Sequence, residues 1–217
     1  MKSISSILNK RDPIACSACS RLVEYRESIR PKRQEHASYW NNPVAPFGDP
    51  EGWLLIIGLA PGAHGANRTS LPFCGDGAGI LLYGGLYETG FSNQSNPTDY
   101  DPELRLTGAI ITNTCLCVPP ANRPTLEEFK KCRHHLLEII SIPTITHIIC
   151  IGGDAHGQLQ RALGIKGPAF RHGDSYSLGQ YVVTDCYHTS TLNQNTGRIT
   201  MSMVVDVLRK TMTLGGK

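Results

Sequence analysis

The sequence predicts an α/β domain built on a parallel sheet with helices covering both faces. Three observations predict it. Four short apolar runs, Trp53-Leu-Leu-Ile-Ile-Gly58, Ala109-Ile-Ile-Thr-Asn113, His147-Ile-Ile-Cys-Ile-Gly152 and Tyr181-Val-Val-Thr-Asp185, have the length and β-branched content of strands buried on both faces. Segments with helical spacing and helix punctuation lie between them. The 217 residues, 40% hydrophobic and 18% charged, suffice for one well-buried domain and do not have the composition of a disordered chain.

Along the chain, an N-terminal segment 1–50 carries Cys16 and Cys19 and predicts a short helix over 21–29 before Pro31. Residues 41–50 are rich in turn formers and read as loop. The first strand then runs into Gly58-Leu-Ala-Pro-Gly-Ala-His-Gly-Ala-Asn67, where glycines and Pro61 suit a tight turn against a ligand. No Gly-Lys-Ser/Thr closes this loop, and it does not fit Gly-x-Gly-x-x-Gly, so neither a Walker A loop nor a dinucleotide fingerprint is present. Helices are predicted over 79–89, over 126–140 with Thr125 and Glu128 as a capping box, over 154–163 ending at Gly164, and over 200–211. The polar motifs fall at the carboxyl ends of the strands, where sheets of this kind bind ligands.

A net charge of +3 permits a nucleic-acid partner without requiring one. Arg21, Arg26, Arg30, Lys32 and Arg33, and Arg198, Arg209, Lys210 and Lys217, form two basic groups open to reading as solvated surface or as phosphate contacts. No apolar run approaches the ~20 residues of a membrane span. The start of the chain, Met1 to Arg11, lacks a sustained apolar stretch, so a cytoplasmic, reducing location is expected for the eight cysteines. Metal or cluster ligation is then favoured over disulfides. A Cys16-x-x-Cys19 pair followed far downstream by Cys117 and Cys132 suits an iron–sulfur cluster or zinc, which spacing alone does not separate.

Together, Gly58 to Arg68, Pro72-Phe-Cys-Gly-Asp76, Thr112-Asn113, Cys117-Val-Pro-Pro-Ala-Asn122, Tyr187-His188 and Asn193-Gln-Asn-Thr-Gly197 resemble the family 5 (type B) uracil-DNA glycosylases. The resemblance covers nearly the whole chain, with the motifs in family order. It implies a single domain over 1–217, an α/β/α sandwich with a four-stranded parallel sheet, and a [4Fe-4S] cluster on Cys16, Cys19, Cys117 and Cys132. Cys115 stands close enough to Cys117 to rival it, whereas Cys74, Cys150 and Cys186 read as buried thiols. The implied activity is excision of uracil, with hypoxanthine and ethenocytosine as further bases, from DNA by a monomer that needs no membrane.

Breaking the N-glycosidic bond of a flipped nucleotide leaves the sugar cationic and the departing base anionic. Other families of the uracil-DNA glycosylase superfamily place an acid or amide in the first loop, where this chain has Leu59 and Ala60, so Asp76 becomes the leading carboxylate; capping the following helix is its alternative role. By the resemblance Ala60 and Gly62 line the base pocket, Phe73 stacks on the base, Asn113 (with Asn122 the weaker candidate) reads its edge, and His188 donates to the oxygen that gathers charge. The loop from Thr189 to Gly197 is expected in the DNA minor groove, with Leu192 as a wedge and Asn193, Asn195 and Arg198 near the backbone. The usual His-Pro-Ser pattern is here His188-Thr-Ser190. No lysine lies in the motif loops to form a Schiff base, which favours a monofunctional enzyme. A catalytically silent iron–sulfur DNA-binding module and a zinc-stabilised nucleoside hydrolase are the competing readings.

Overall fold

Each of the four apolar runs forms a strand in the computed structural model, which describes Leu8, residues 15–32 and residues 38–215. In chain order the elements are α1 (Ser20–Ser28), β1 (Phe47–Gly48), β2 (Leu54–Gly58), α2 (Ala66–Thr69), α3 (Gly77–Glu88), β3 (Ala109–Asn113), α4 (Leu126–Ile140), β4 (His147–Ile151), α5 (Gly153–Leu163), β5 (Ser175–Leu178), β6 (Tyr181–Cys186), α6 (Thr191–Asn195) and α7 (Met201–Leu214). The sheet order is β1-β3-β2-β4-β6-β5. Its inner four strands are parallel, as expected, and β1 and β5 widen the sheet by pairing antiparallel at the two edges.

Alternate residues of each inner strand feed opposite layers. Leu54 and Ile56 of β2, with Ile111 and Ile149, pack under Leu82 and Leu86 of α3 and Val204 and Leu208 of α7. Leu55 and Ile57, with Ile110 and Ile148, face Leu136 and Ile139 of α4 and Leu159 of α5. Burial of a Leu or Ile side chain of this size contributes about 1.5–3 kcal/mol, so the two layers hold the sheet between them. The predicted three-layer sandwich is the architecture found.

The capping box forms: Thr125 Oγ1 accepts the Glu128 amide at 3.3 Å, and Glu128 accepts the Thr125 amide at 2.7 Å. The Glu128 carboxylate also accepts from Arg21 at 2.8 and 2.7 Å, tying α1 to the start of α4. This pairing takes Arg21 out of the basic N-terminal group. Arg26 is withdrawn as well, buried beside Cys16 and Cys117. Arg30, Lys32, Arg198, Arg209 and Lys210 remain on the exposed surface, while Arg33 and Lys217 lie outside the described residues. Among the described residues no helix is long and apolar enough to cross a membrane.

Candidate active site

The chain leaves β2 towards β3 on one side and later returns through β4 on the other, which opens a crevice at the carboxyl end of β2. A cavity of about 380 Å³ lies there, lined by Leu59 to Gly62, Ala66, Phe73, Asp76 to Ala78, Asn113, Asn122, His188 and Ser190 to Leu192. Residues from the ends of β2, β3 and β6 and from the start of α3 therefore meet in one place. A larger depression of about 570 Å³ lies against edge strand β1. Its carboxylates are already committed, Asp49 to the amides of Glu51 and Gly108 and Asp101 to Glu103 and Gln94, so the smaller cavity is the better candidate for chemistry.

Asp76 caps the following helix and also lines the cavity. Its Oδ1 caps α3, accepting the amides of Ala78 and Gly79 at 3.1 Å. Its Oδ2 turns towards the first loop. A Cβ on Gly65 would stand 2.1 Å from Oδ2, so only glycine leaves the carboxylate space there. One carboxylate thus spends one oxygen on the helix and keeps the other at the cavity.

Phe73 and Asn113 sit together over the end of β2. A Cβ on Gly58 would come within 2.6 Å of the Phe73 ring and 2.5 Å of Asn113 Oδ1, so the bare glycine lets ring and amide descend to the sheet. Phe73 has φ +55°, a left-handed conformation that costs a non-glycine residue of order 1–3 kcal/mol and is sustained by its surroundings. Asn113 is buried, yet its carboxamide has no hydrogen-bond partner among the described residues and borders the cavity.

His188 lies 6.4 Å from Phe73, centroid to centroid. Its Nδ1 accepts the backbone N–H of Ser190 at 3.1 Å, which places the ring proton on Nε2. Burial pushes the imidazole's pKa down, against a weaker upward pull from Asp76 and Asp154. The ring is therefore a neutral Nε2–H donor at the cavity wall.

A second cluster lies behind the first loop. Cys16, Cys19, Cys115, Cys117 and Cys132 surround a small cavity with Leu22, Arg26 and Lys131. Leu59 and Ala60, which line the 380 Å³ cavity, pack against the cluster of Leu22, Cys115 and Phe129, as do Cys19, Cys117 and Cys132. Burial raises the Cys117 thiol to about 11 despite Arg26, whose Nη1 donates to its sulfur at 3.3 Å. Cys132 is pulled below its usual range, first by a hydrogen bond from Cys115 and also by the Leu116 amide at 3.4 Å. Arg26 Nε is buried with no acceptor among the described residues. Convergent soft thiols beside a partly unsatisfied cation fit an anionic, sulfur-bearing group. Among the described residues no group of three or more His, Cys, Asp or Glu is arranged to hold a single metal ion.

A model of the uracil DNA glycosylase superfamily matches residues 45–211. This chain belongs to the uracil-DNA glycosylase superfamily. It is 40% identical over 209 residues to a type-5 uracil-DNA glycosylase of Thermus thermophilus, covering 93% of this chain and 94% of the relative. It is 37% identical over 198 residues to a type-5 uracil-DNA glycosylase of Pyrobaculum aerophilum, covering 91% of this chain and 88% of the relative. The type-5 enzyme of Mycobacterium bovis is 39% identical over 211 residues, covering 93% and 78%.

Within this superfamily member the last loop is braced from inside. Asn193 is not among the cavity's lining residues; its Nδ2 donates to the His188 carbonyl at 2.8 Å and so holds the loop that carries the imidazole. His64 and Asn67 of the glycine-rich loop are bound to Tyr39 and Asn41 at 3.0 and 2.8 Å. Arg198 stacks over Tyr187 at 4.7 Å, and Tyr187 stacks on His172. Two features escaped sequence reasoning, Arg26 at the thiols and the Ser190 amide on His188. Ser190 lies two residues past the histidine it bonds, whereas Arg26 meets its sulfur across 91 residues.

Thr189, which stands where the common pattern has proline, is fully buried, and its Oγ1 has no partner among the described residues. An unpaired buried hydroxyl costs about 1–3 kcal/mol. Thr189→Val, of similar shape, is expected to raise the melting temperature by about 2–4 °C, for roughly 1 kcal/mol in a domain of this size. A scanning calorimetry trace with a lowered midpoint would show that the hydroxyl is satisfied.

Proposed function

We propose that the protein is a monofunctional uracil-DNA glycosylase that hydrolyses the bond between uracil and deoxyribose in DNA and leaves an abasic site. The observation that carries this reading is the meeting of Asp76, Phe73, Asn113 and His188 in one cavity of about 380 Å³. Phe73 offers an apolar face to a flipped base, and the free carboxamide of Asn113 offers the donor and acceptor that a pyrimidine edge needs. As the glycosidic bond opens, His188 Nε2–H donates to the base oxygen on which negative charge collects. Asp76 Oδ2 holds the attacking water and stabilises the cationic sugar; the base departs with the bonding electrons, the water's oxygen bonds to C1′ as its proton passes to Asp76, and a proton from solvent neutralises the departed base. Among the described residues no lysine lines the cavity, in keeping with hydrolysis rather than Schiff-base chemistry. Ala60 and Gly62 set no acid against the base, which supports a range extending to hypoxanthine and ethenocytosine.

Cys16, Cys19, Cys117 and Cys132 would hold a [4Fe-4S] cluster, with Cys115 as a buried neighbour that donates to Cys132. When bound, the cluster supplies a structural cross-link between the N-terminal segment and the wall behind Ala60. Thiols kept for a cluster suit a reducing, cytoplasmic setting, in which the protein acts as a monomer on DNA.

The test is a duplex carrying a single uracil, incubated with the protein and then treated with alkali. Cleavage only after alkali supports the reading. Scission without alkali would make the enzyme a lyase, binding without cleavage would favour a silent module, and release of base from free deoxyuridine would favour a nucleoside hydrolase. Leu192, 72% exposed at the cavity rim on α6, is proposed as the wedge that takes the base's place in the duplex. Leu192→Ala is expected to slow excision from duplex DNA several-fold more than from single strands, and equal rates on both would remove the wedge.

A further inference from the structure

Gln194 does not line the cavity, yet it touches both of its catalytic walls. Its Nε2 donates to the carbonyl of Gly77 at 2.7 Å and to the carbonyl of Thr189 at 2.6 Å. Gly77 follows Asp76 in the chain, and Thr189 follows His188. A primary amide nitrogen carries two N–H groups, and here each is given to one wall. The approach is close: a Cβ on Gly77 would stand 2.2 Å from Thr191 Oγ1, so α6 rests directly on the first turn of α3. The other links of the last loop, from Asn193 to the His188 carbonyl and from Ser190 to His188 Nδ1, stay within that loop and leave its distance from α3 unset.

We infer that Gln194 is a positioning residue that fixes the separation between the Asp76 carboxylate and the His188 imidazole. The inference rests on the catalytic reading of those two residues. The two groups act on opposite ends of one breaking bond, so their spacing has to match the sugar and the base together. A misplacement of about 1 Å in such an arrangement costs on the order of 100-fold in rate. Because Gln194 has no place among the cavity's lining residues, its loss acts on the chemical step and leaves binding of the flipped nucleotide nearly intact.

The experiment is a double-mutant cycle in single-turnover excision from a uracil-containing duplex, with affinity and melting temperature measured on every variant. Gln194→Ala is expected to slow excision by about 10- to 100-fold with affinity for the duplex changed less than about twofold. Gln194→Glu, which keeps the length of the side chain and has no N–H to give, loses at least as much. Combined with His188→Ala, the Gln194→Ala loss shrinks to a small part of its single-mutant value, because the group it places is gone. Should alanine unfold α6, Gln194→Met preserves bulk and carries the same cycle. Unchanged excision in the Gln194 variants, or losses that multiply in full with that of His188→Ala, overturn the inference while leaving the catalytic reading in place. Full turnover by both His188→Ala and Asp76→Asn would overturn the catalytic reading itself, and the inference with it.

Discussion

Asp76→Asn is expected to lower single-turnover excision of uracil by about 10²- to 10⁴-fold, the range over which a positioned acid–base group contributes. Asparagine is the informative replacement because Asp76 also caps α3 through Oδ1. An alanine there removes the cap as well, at about 1 kcal/mol, whereas asparagine caps about as well as aspartate. With asparagine the fold and the affinity for DNA are retained, and what is lost is the charge beside the sugar. The same change has a second readout. The Asp76 carboxylate pulls the His188 pKa upward against burial, so its neutralisation lets that pKa fall further below the usual histidine range. An NMR titration of the imidazole is the check. The sign also fixes the pH dependence of stability: neutral His188 is favoured on folding, so stability falls as pH drops through about 6.5 and the unfolded chain takes up the proton first. No contribution from this group remains at higher pH. Wild-type turnover by Asp76→Asn would remove the carboxylate from the mechanism.

Where the sequence is legible, local physics sets the structure. The four inner strands are short apolar runs that no amphipathic helix would produce, and the α4 boundaries follow from a capping box that forms as read. The edges are less legible. β1 is two residues within a turn-rich stretch, and β5 alternates Ser, Tyr, Ser and Leu on a half-exposed rim, so neither carries enough apolar pattern to stand out. Long-range pairing is hidden for a different reason. Arg21 and Arg26 read as solvated surface or as phosphate contacts until α4 and the thiols are folded against them, and Gln194 reaches Gly77 across 117 residues. At Asp76 the sequence poses capping and chemistry as rivals, but a carboxylate has two oxygens, and the fold gives one to the cap and turns the other towards the first loop.

Replacing one of the four proposed cluster ligands, as in Cys117→Ser, is expected to yield a colourless protein without bound iron, less stable by about 4 kcal/mol or more and with excision lost in parallel. The size of the effect follows from how little else holds this corner. Among the described residues the buried apolar cluster at the thiols is small, Leu22, Cys115 and Phe129, and α1 is tied across by Arg21 to Glu128 and by Arg26 to Cys117. Loss of the thiol also leaves the Arg26 guanidinium, already short of an acceptor at Nε, buried with less to pair with. The coupling to activity runs through Ala60, which lines the cavity and packs on the same cluster of Leu22, Cys115 and Phe129 as Cys19, Cys117 and Cys132. Cys74→Ala and Cys150→Ala, at buried thiols away from this cavity, serve as controls that retain iron. Cys115→Ser separates ligand from neighbour: it keeps the iron if Cys115 only donates to Cys132, and loses it if Cys115 is itself one of the four. Metal analysis and the visible absorption of the purified protein decide between iron–sulfur and zinc. A Cys117→Ser protein with wild-type colour and melting temperature would place the cluster on other residues and detach the wall behind Ala60 from it.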